Sequence, residues 1–172
     1  MLAITVLAIG VVAAAPIAFA ASAQGNPTAA QIQEAVRSAE RSKTLWATIN
    51  ICNTRRFPLY IGVRGQMPAL GFPAWMTMFI RIYNYSETKR RFVPSPKATM
   101  RVRLGRNSSG LQQDGATFQF APHTGLFEAT IGFVWRRSGK VLADVTRRTT
   151  GGHRDADFGS PPRYSANQCR IP

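Results

Sequence analysis

The chain has 172 residues, the size of one ordinary domain. Its apolar content of 45 % excludes a disordered tail, and its 11 prolines and 14 glycines follow no period, which excludes a collagen-like repeat. The formal charge of +14 lies wholly after Ala23, and two cysteines with two histidines leave little material for a metal cluster or an iron–sulfur centre.

Residues 1–23 read as a secretory leader. Leu2 to Ala15 is an unbroken apolar run, and Pro16 ends it. Ala18-x-Ala20 and Ala21-x-Ala23 both fit the small-x-small cleavage pattern. No Lys or Arg precedes the run. The alternative is a retained anchor, since residues 2–23 are about long enough to span a bilayer. Either reading puts the remaining chain outside the cytoplasm, secreted or held at the cell surface.

Residues 24–43 read as a short helix and linker. Ile32, Ala35, Val36 and Ala39 recur at helical spacing, and Thr28 suits the N-cap, so the helix is predicted over about Thr28 to Arg41.

After Lys43 the period changes to two, and residues 44–172 read as one domain. Leu45, Ala47, Ile49 and Ile51 alternate with Trp46, Thr48, Asn50 and Cys52. Similar runs follow at residues 59–64, 76–83 and 100–105, then a short one at Phe118 and Phe120, then 127–135 and 141–146. Ser138-Gly139 sits where a tight hairpin turn belongs, and Asn107-Ser-Ser-Gly110 with Asp114-Gly115 marks a polar loop. About seven short strands without intervening helices predict an all-β fold, an Ig-like antiparallel β-sandwich. A small up-and-down barrel is the runner-up. The segment from Thr149 to Pro172, rich in Gly, Pro and Arg, is expected to form an irregular cover ending in a short edge segment.

In an oxidising compartment Cys52 and Cys169 are expected to pair, pinning that tail over the first strand. Such a bond closes a loop of about 117 residues. Two free buried thiols are the alternative.

Catalytic material is sparse. His123 lies in the turn-like Pro122-His-Thr-Gly125. His153 shares a loop with Asp155 and Asp157, so a divalent cation or an acid–base pair is conceivable there, against the neighbouring charge of Arg154. Glu128 and Asp144 lie on consecutive strands among arginines and read as cross-strand ion-pair partners. No Gly-rich phosphate loop opens a helix, and no cofactor is expected.

Charge is the strongest remaining signal. Arginines cluster at Arg101 and Arg103, Arg136 and Arg137, and Arg147 and Arg148. Met100, Val102 and Leu104 are expected on the buried phase of their strand, with Arg101 and Arg103 opposite. Guanidinium groups bind carboxylate and phosphate in bidentate fashion. These six arginines are therefore the candidate anion-binding residues, with an anionic envelope polymer or membrane surface as partner and no specific nucleic acid. The whole resembles small exported bacterial proteins with a β-sandwich and one disulfide, a resemblance that carries over no activity. The expectation is a non-enzymatic binding or envelope-associated module; the alternative is a small secreted hydrolase or metal-dependent enzyme using His153, Asp155 and Asp157.

Overall fold

The computed structural model describes residues 26–122 and 125–172. The predicted leader and His123 lie outside the described residues. Helix α1 covers Ala29–Arg41, and Thr28 caps it. The Thr28 hydroxyl accepts from the Gln31 amide at 3.3 Å, and the Gln31 side chain accepts from the Thr28 amide at 2.8 Å. This reciprocal cap satisfies two of the donors that a helix start leaves open. Ile32, Ala35 and Val36 lay their stripe on the core, and Ala39 is buried in it.

Eight strands follow: β1 Trp46–Cys52, β2 Tyr60–Pro68, β3 Ala74–Ser86, β4 Arg91–Asn107, β5 Leu111–Gln119, β6 Gly125–Arg137, β7 Lys140–Arg148 and β8 Gln168–Ile171. They form two antiparallel sheets packed face to face. The order is β1-β2-β5 in the first and β4-β3-β6-β7 in the second, with β8 also paired to β6. This is a sandwich and not a closed barrel. The inner faces supply Ile49, Ile61, Val63 and Met67 on one side and Met76, Met78, Ile80, Ile131 and Phe133 on the other. Trp135 is wholly buried, and its indole N–H donates to the Pro68 carbonyl at 2.9 Å. That bond removes the cost of burying its one polar atom.

The β6–β7 hairpin turns at Ser138 and Gly139, both with positive φ, 48° and 76°. That is the backbone a two-residue turn needs to match the strand twist. Two expectations fail. Residues 111–117 are strand, not loop, because β5 pairs β2 continuously from Leu111↔Pro68 to Gln119↔Tyr60. Gly115 permits this: a Cβ there would stand 2.0 Å from the Val63 carbonyl oxygen. Met100 is 48 % exposed although it lies opposite the buried Ile80. It sits on the edge strand β4, whose register slips on both sides of it, so its side chain meets solvent at the sheet margin.

Cys52 and Cys169 form the disulfide. It joins β1 of the first sheet to β8 of the second, and such a bond fits an oxidising environment. Among the described residues no helix is long and apolar enough to cross a membrane.

Candidate anion-binding surface

The two sheets differ in what covers their outer faces. On the three-stranded sheet, Thr48, Asn50 and Gln66 point away from the core, yet all three are buried. Residues 150–167 lie over them. Asn50 donates to the Asp157 carbonyl at 2.8 Å. Thr48 shares a hydrogen bond with Ser165 at 2.7 Å, and the backbones of Ile49 and Ala166 bond each other in both directions. Gln113 donates to the Asp155 carbonyl and accepts from the Asp157 amide. These side chains therefore receive from the tail the partners that burial denies them in water. Arg64, also on this face, lies 4.9 Å from the ring of Phe158 and 3.5 Å from Asp114. Burial holds its guanidinium below the ordinary value, with Asp114 opposing.

On the five-stranded sheet much of the outer face is exposed, although Thr77 and Val134 on it are buried. Four cross-strand rows define it. Trp75 is flanked by Arg106 and Arg136; Thr77 by Arg103 and Val134; Phe79 by Arg101 and Gly132; Arg81 by Thr99 and Thr130. Beyond β6 the rows continue into Asp144, Thr146 and Arg148 of β7. Trp75 is 57 % exposed and Phe79 40 %. Rings at residues 75, 79 and 83 of one strand stand about 13 Å apart, a line of about 26 Å. Arg101 lies 5.3 Å from the centre of the Phe79 ring. A shallow groove of about 460 Å³ runs between Phe79, Arg101, Arg81 and Asp144. Gly132 lies in it beside Phe79, and a Cβ there would meet Phe79, Thr146 and Asp144 at ordinary contact distances of 3.7–3.9 Å.

The six sequence-predicted arginines divide between two places. Arg101, Arg103, Arg136 and Arg148 lie on the open face. Arg137 and Arg147 do not. Arg137 lies 5.2 Å from the Phe72 ring and donates to the Asn26 side chain at 2.8 Å. Arg147 donates to the Glu40 carbonyl at the end of α1. Both thus hold the N-terminal helix against the sandwich. Arg148 pairs with Glu128 at 3.3 Å, which accounts for that carboxylate as an ion-pair partner. Glu128 and Asp144 are not a catalytic pair. Asp144 lies opposite Val134, six positions along β6 from Glu128, or about 20 Å.

The contacts of the His153 loop run to the first strand and within the tail. The imidazole stacks on Trp46 with ring centres 4.6 Å apart, and its Nε2 shares a hydrogen bond with the Thr150 hydroxyl at 2.8 Å. Asp155 and Asp157 meet Gln113 and Asn50 through their backbones. Among the described residues no three His, Cys, Asp or Glu side chains come together as a metal site. Burial lowers the His153 pKa from its ordinary value, and Asp155 pulls weakly the other way.

Sequence reasoning missed Trp75, Phe79 and Arg81 as members of this surface; Arg106 belongs to the same arginine cluster as Arg101 and Arg103. The signal was present: Phe79 and Arg81 occupy the polar phase of β3, where an aromatic has no core to fill. No protein-family model, curated protein or solved structure matches the chain.

Proposed function

We propose that this chain is an exported, non-enzymatic Ig-like β-sandwich that binds anionic cell-envelope polymers along the open face of its five-stranded sheet. The observation that supports this reading best is the contrast between the two outer faces. One is covered by the chain's own tail. The other presents the exposed rings of Trp75 and Phe79 along β3, the first with an arginine on each side and the second with Arg101 on one. The four rows hold six arginines against one carboxylate, Asp144. Guanidinium groups supply attraction for carboxylate or phosphate, and flat rings supply stacking surface. A line of rings on one strand suits an extended polymer better than a flat membrane.

The apolar residues 1–23 and the disulfide support export. The strand order supports the Ig-like reading. Constant-type immunoglobulin domains pair ABED with CFG. Transferring the fourth strand to the other sheet gives the order β1-β2-β5 against β4-β3-β6-β7.

Because the charge is spread along a face, binding is weak, fast and salt-sensitive. The test is binding to immobilised polygalacturonate, with neutral dextran as control, between 50 and 500 mM NaCl. Affinity is expected to fall by about tenfold over that range as exposed charges are screened. Arg101→Gln with Arg103→Gln should weaken it several-fold, while Arg55→Gln with Arg56→Gln, in the loop between β1 and β2, should not. Equal retention on dextran, indifference to the face variants, or tight salt-resistant capture of one small anion on this face would each refute the reading.

A further inference from the structure

A second site lies at the opposite end of the molecule's chemistry, a small cleft rather than a long face. It occupies about 520 Å³ where the start of α1 meets residues 70–73 and the turn end of β6. Gln31, Leu70, Phe72, Arg106 and Arg137 are among the residues that line it. Leu70 and Phe72 are buried, so its floor is apolar. Arg137 reaches in over Phe72 and gives one nitrogen, Nη2, to Asn26. Its other terminal nitrogen, Nη1, is out of contact with solvent and has no hydrogen-bond partner among the described residues.

A buried guanidinium nitrogen without an acceptor is costly, and native structures rarely leave one so. No Asp or Glu is among the residues lining the cleft, so its two arginines have no carboxylate there to balance them. A cleft with two guanidinium groups and no carboxylate suits an anionic acceptor from outside. We propose that this cleft binds a small carboxylate carried on an apolar chain of about six to ten carbons. The carboxylate pairs with the Arg137 guanidinium, whose Nη1 must first turn toward the cleft, with Arg106 as the second cation. The hydrocarbon lies on Leu70 and Phe72. The volume falls in the range of ordinary small-molecule sites. Charge alone would suit inorganic phosphate equally well; the apolar floor selects against it. The cleft shares Arg106 with one end of the polymer-binding face, and it gives Arg137 a role apart from that face.

The test uses the full chain, isotope-labelled, with octanoate as probe. Octanamide controls for the apolar body and acetate for the charge. Amide resonances of residues 70–72 and 137 are followed by NMR. Octanoate is expected to shift them with a dissociation constant of about 1 mM or tighter. Octanamide and acetate should each bind at least tenfold more weakly. Arg137→Gln should weaken octanoate by tenfold or more. That variant also loses the Asn26 bond, so Arg106→Gln serves as the second one, and it should weaken octanoate several-fold with the spectrum otherwise unchanged. The proposal is overturned if octanoate leaves these resonances unmoved at 10 mM. Equal binding of octanoate and octanamide overturns it too, as does an Arg106→Gln protein that binds octanoate like the parent.

Discussion

Removing the disulfide is the sharpest perturbation available, because its effect follows from one number. Cys52 and Cys169 stand 117 residues apart. Cross-linking a chain over that span lowers the entropy of the unfolded state by an amount equivalent to about 5 kcal/mol at 25 °C, a model-dependent figure that experiments often find smaller. We take about 3–5 kcal/mol as the expected loss for Cys52→Ala with Cys169→Ala. The folded domain orders roughly 150 residues, whose unfolding entropy is about 0.3 kcal/mol per kelvin. The melting temperature should therefore fall by about 10–15 °C. The native contacts of β8 survive the change, since Ile171 is wholly buried and β8 stays paired with β6. The loss should then appear mainly as a more expanded unfolded state. Circular dichroism melts of the double variant and the oxidised parent measure the shift. Limited proteolysis at low temperature separates global from local effects, and residues 150–168 are the expected first site of cutting. A shift under about 3 °C would refute the reasoning, because it would mean that the unfolded chain is already held compact between these ends.

Three further outcomes are expected. Asn50→Ala removes the donor to the Asp157 carbonyl inside a buried contact and should cost about 1–3 kcal/mol, read by urea denaturation. Gly115→Ala places a methyl group 2.0 Å from the Val63 carbonyl, so β2 and β5 must part; roughly 2–4 kcal/mol is expected, and a neutral result would mean that the two strands are not so closely apposed. For His153, whose folded pKa is lowered by burial, the unfolded chain holds the proton more tightly, so stability rises with pH between the folded pKa and about 6.5. It is lost as pH falls through that window, and His153→Gln should flatten the slope of melting temperature against pH there.

Much of the fold was legible from period alone. The helix, its Thr28 cap, the strand runs and the Ser138-Gly139 turn follow from local spacing. What local spacing could not supply was the second neighbour of each face. Thr48 and Asn50 alternate with Ile49 and Ile51 and so look solvent-facing; they are buried by residues more than a hundred positions later. Polar alternation marks a side chain as outside the first core, not as wet. The residues of β5, Gln112 to Thr117, look like loop because neither of their faces is rich in large apolar groups, yet β2 offers them a complete ladder. The arginine pairs carry a different lesson. Adjacent residues on a strand point to opposite faces. Arg136-Arg137 and Arg147-Arg148 therefore could never stand on one surface together, and the structure sends one of each pair to the helix.

The tail over the three-stranded sheet has a consequence for the order of assembly. β1 emerges well before the partners of Thr48 and Asn50, and of the Cys52 sulfur, which follow more than a hundred residues later. The first strand must wait, half dressed, for those residues to appear. A ribosome stalled before residue 150 would hold a first sheet whose outer polar groups still face water and whose thiol has no mate. Completion is thus tied to the arrival of residues 150–169, and a shorter fragment stays open, its thiol unpaired, until that moment.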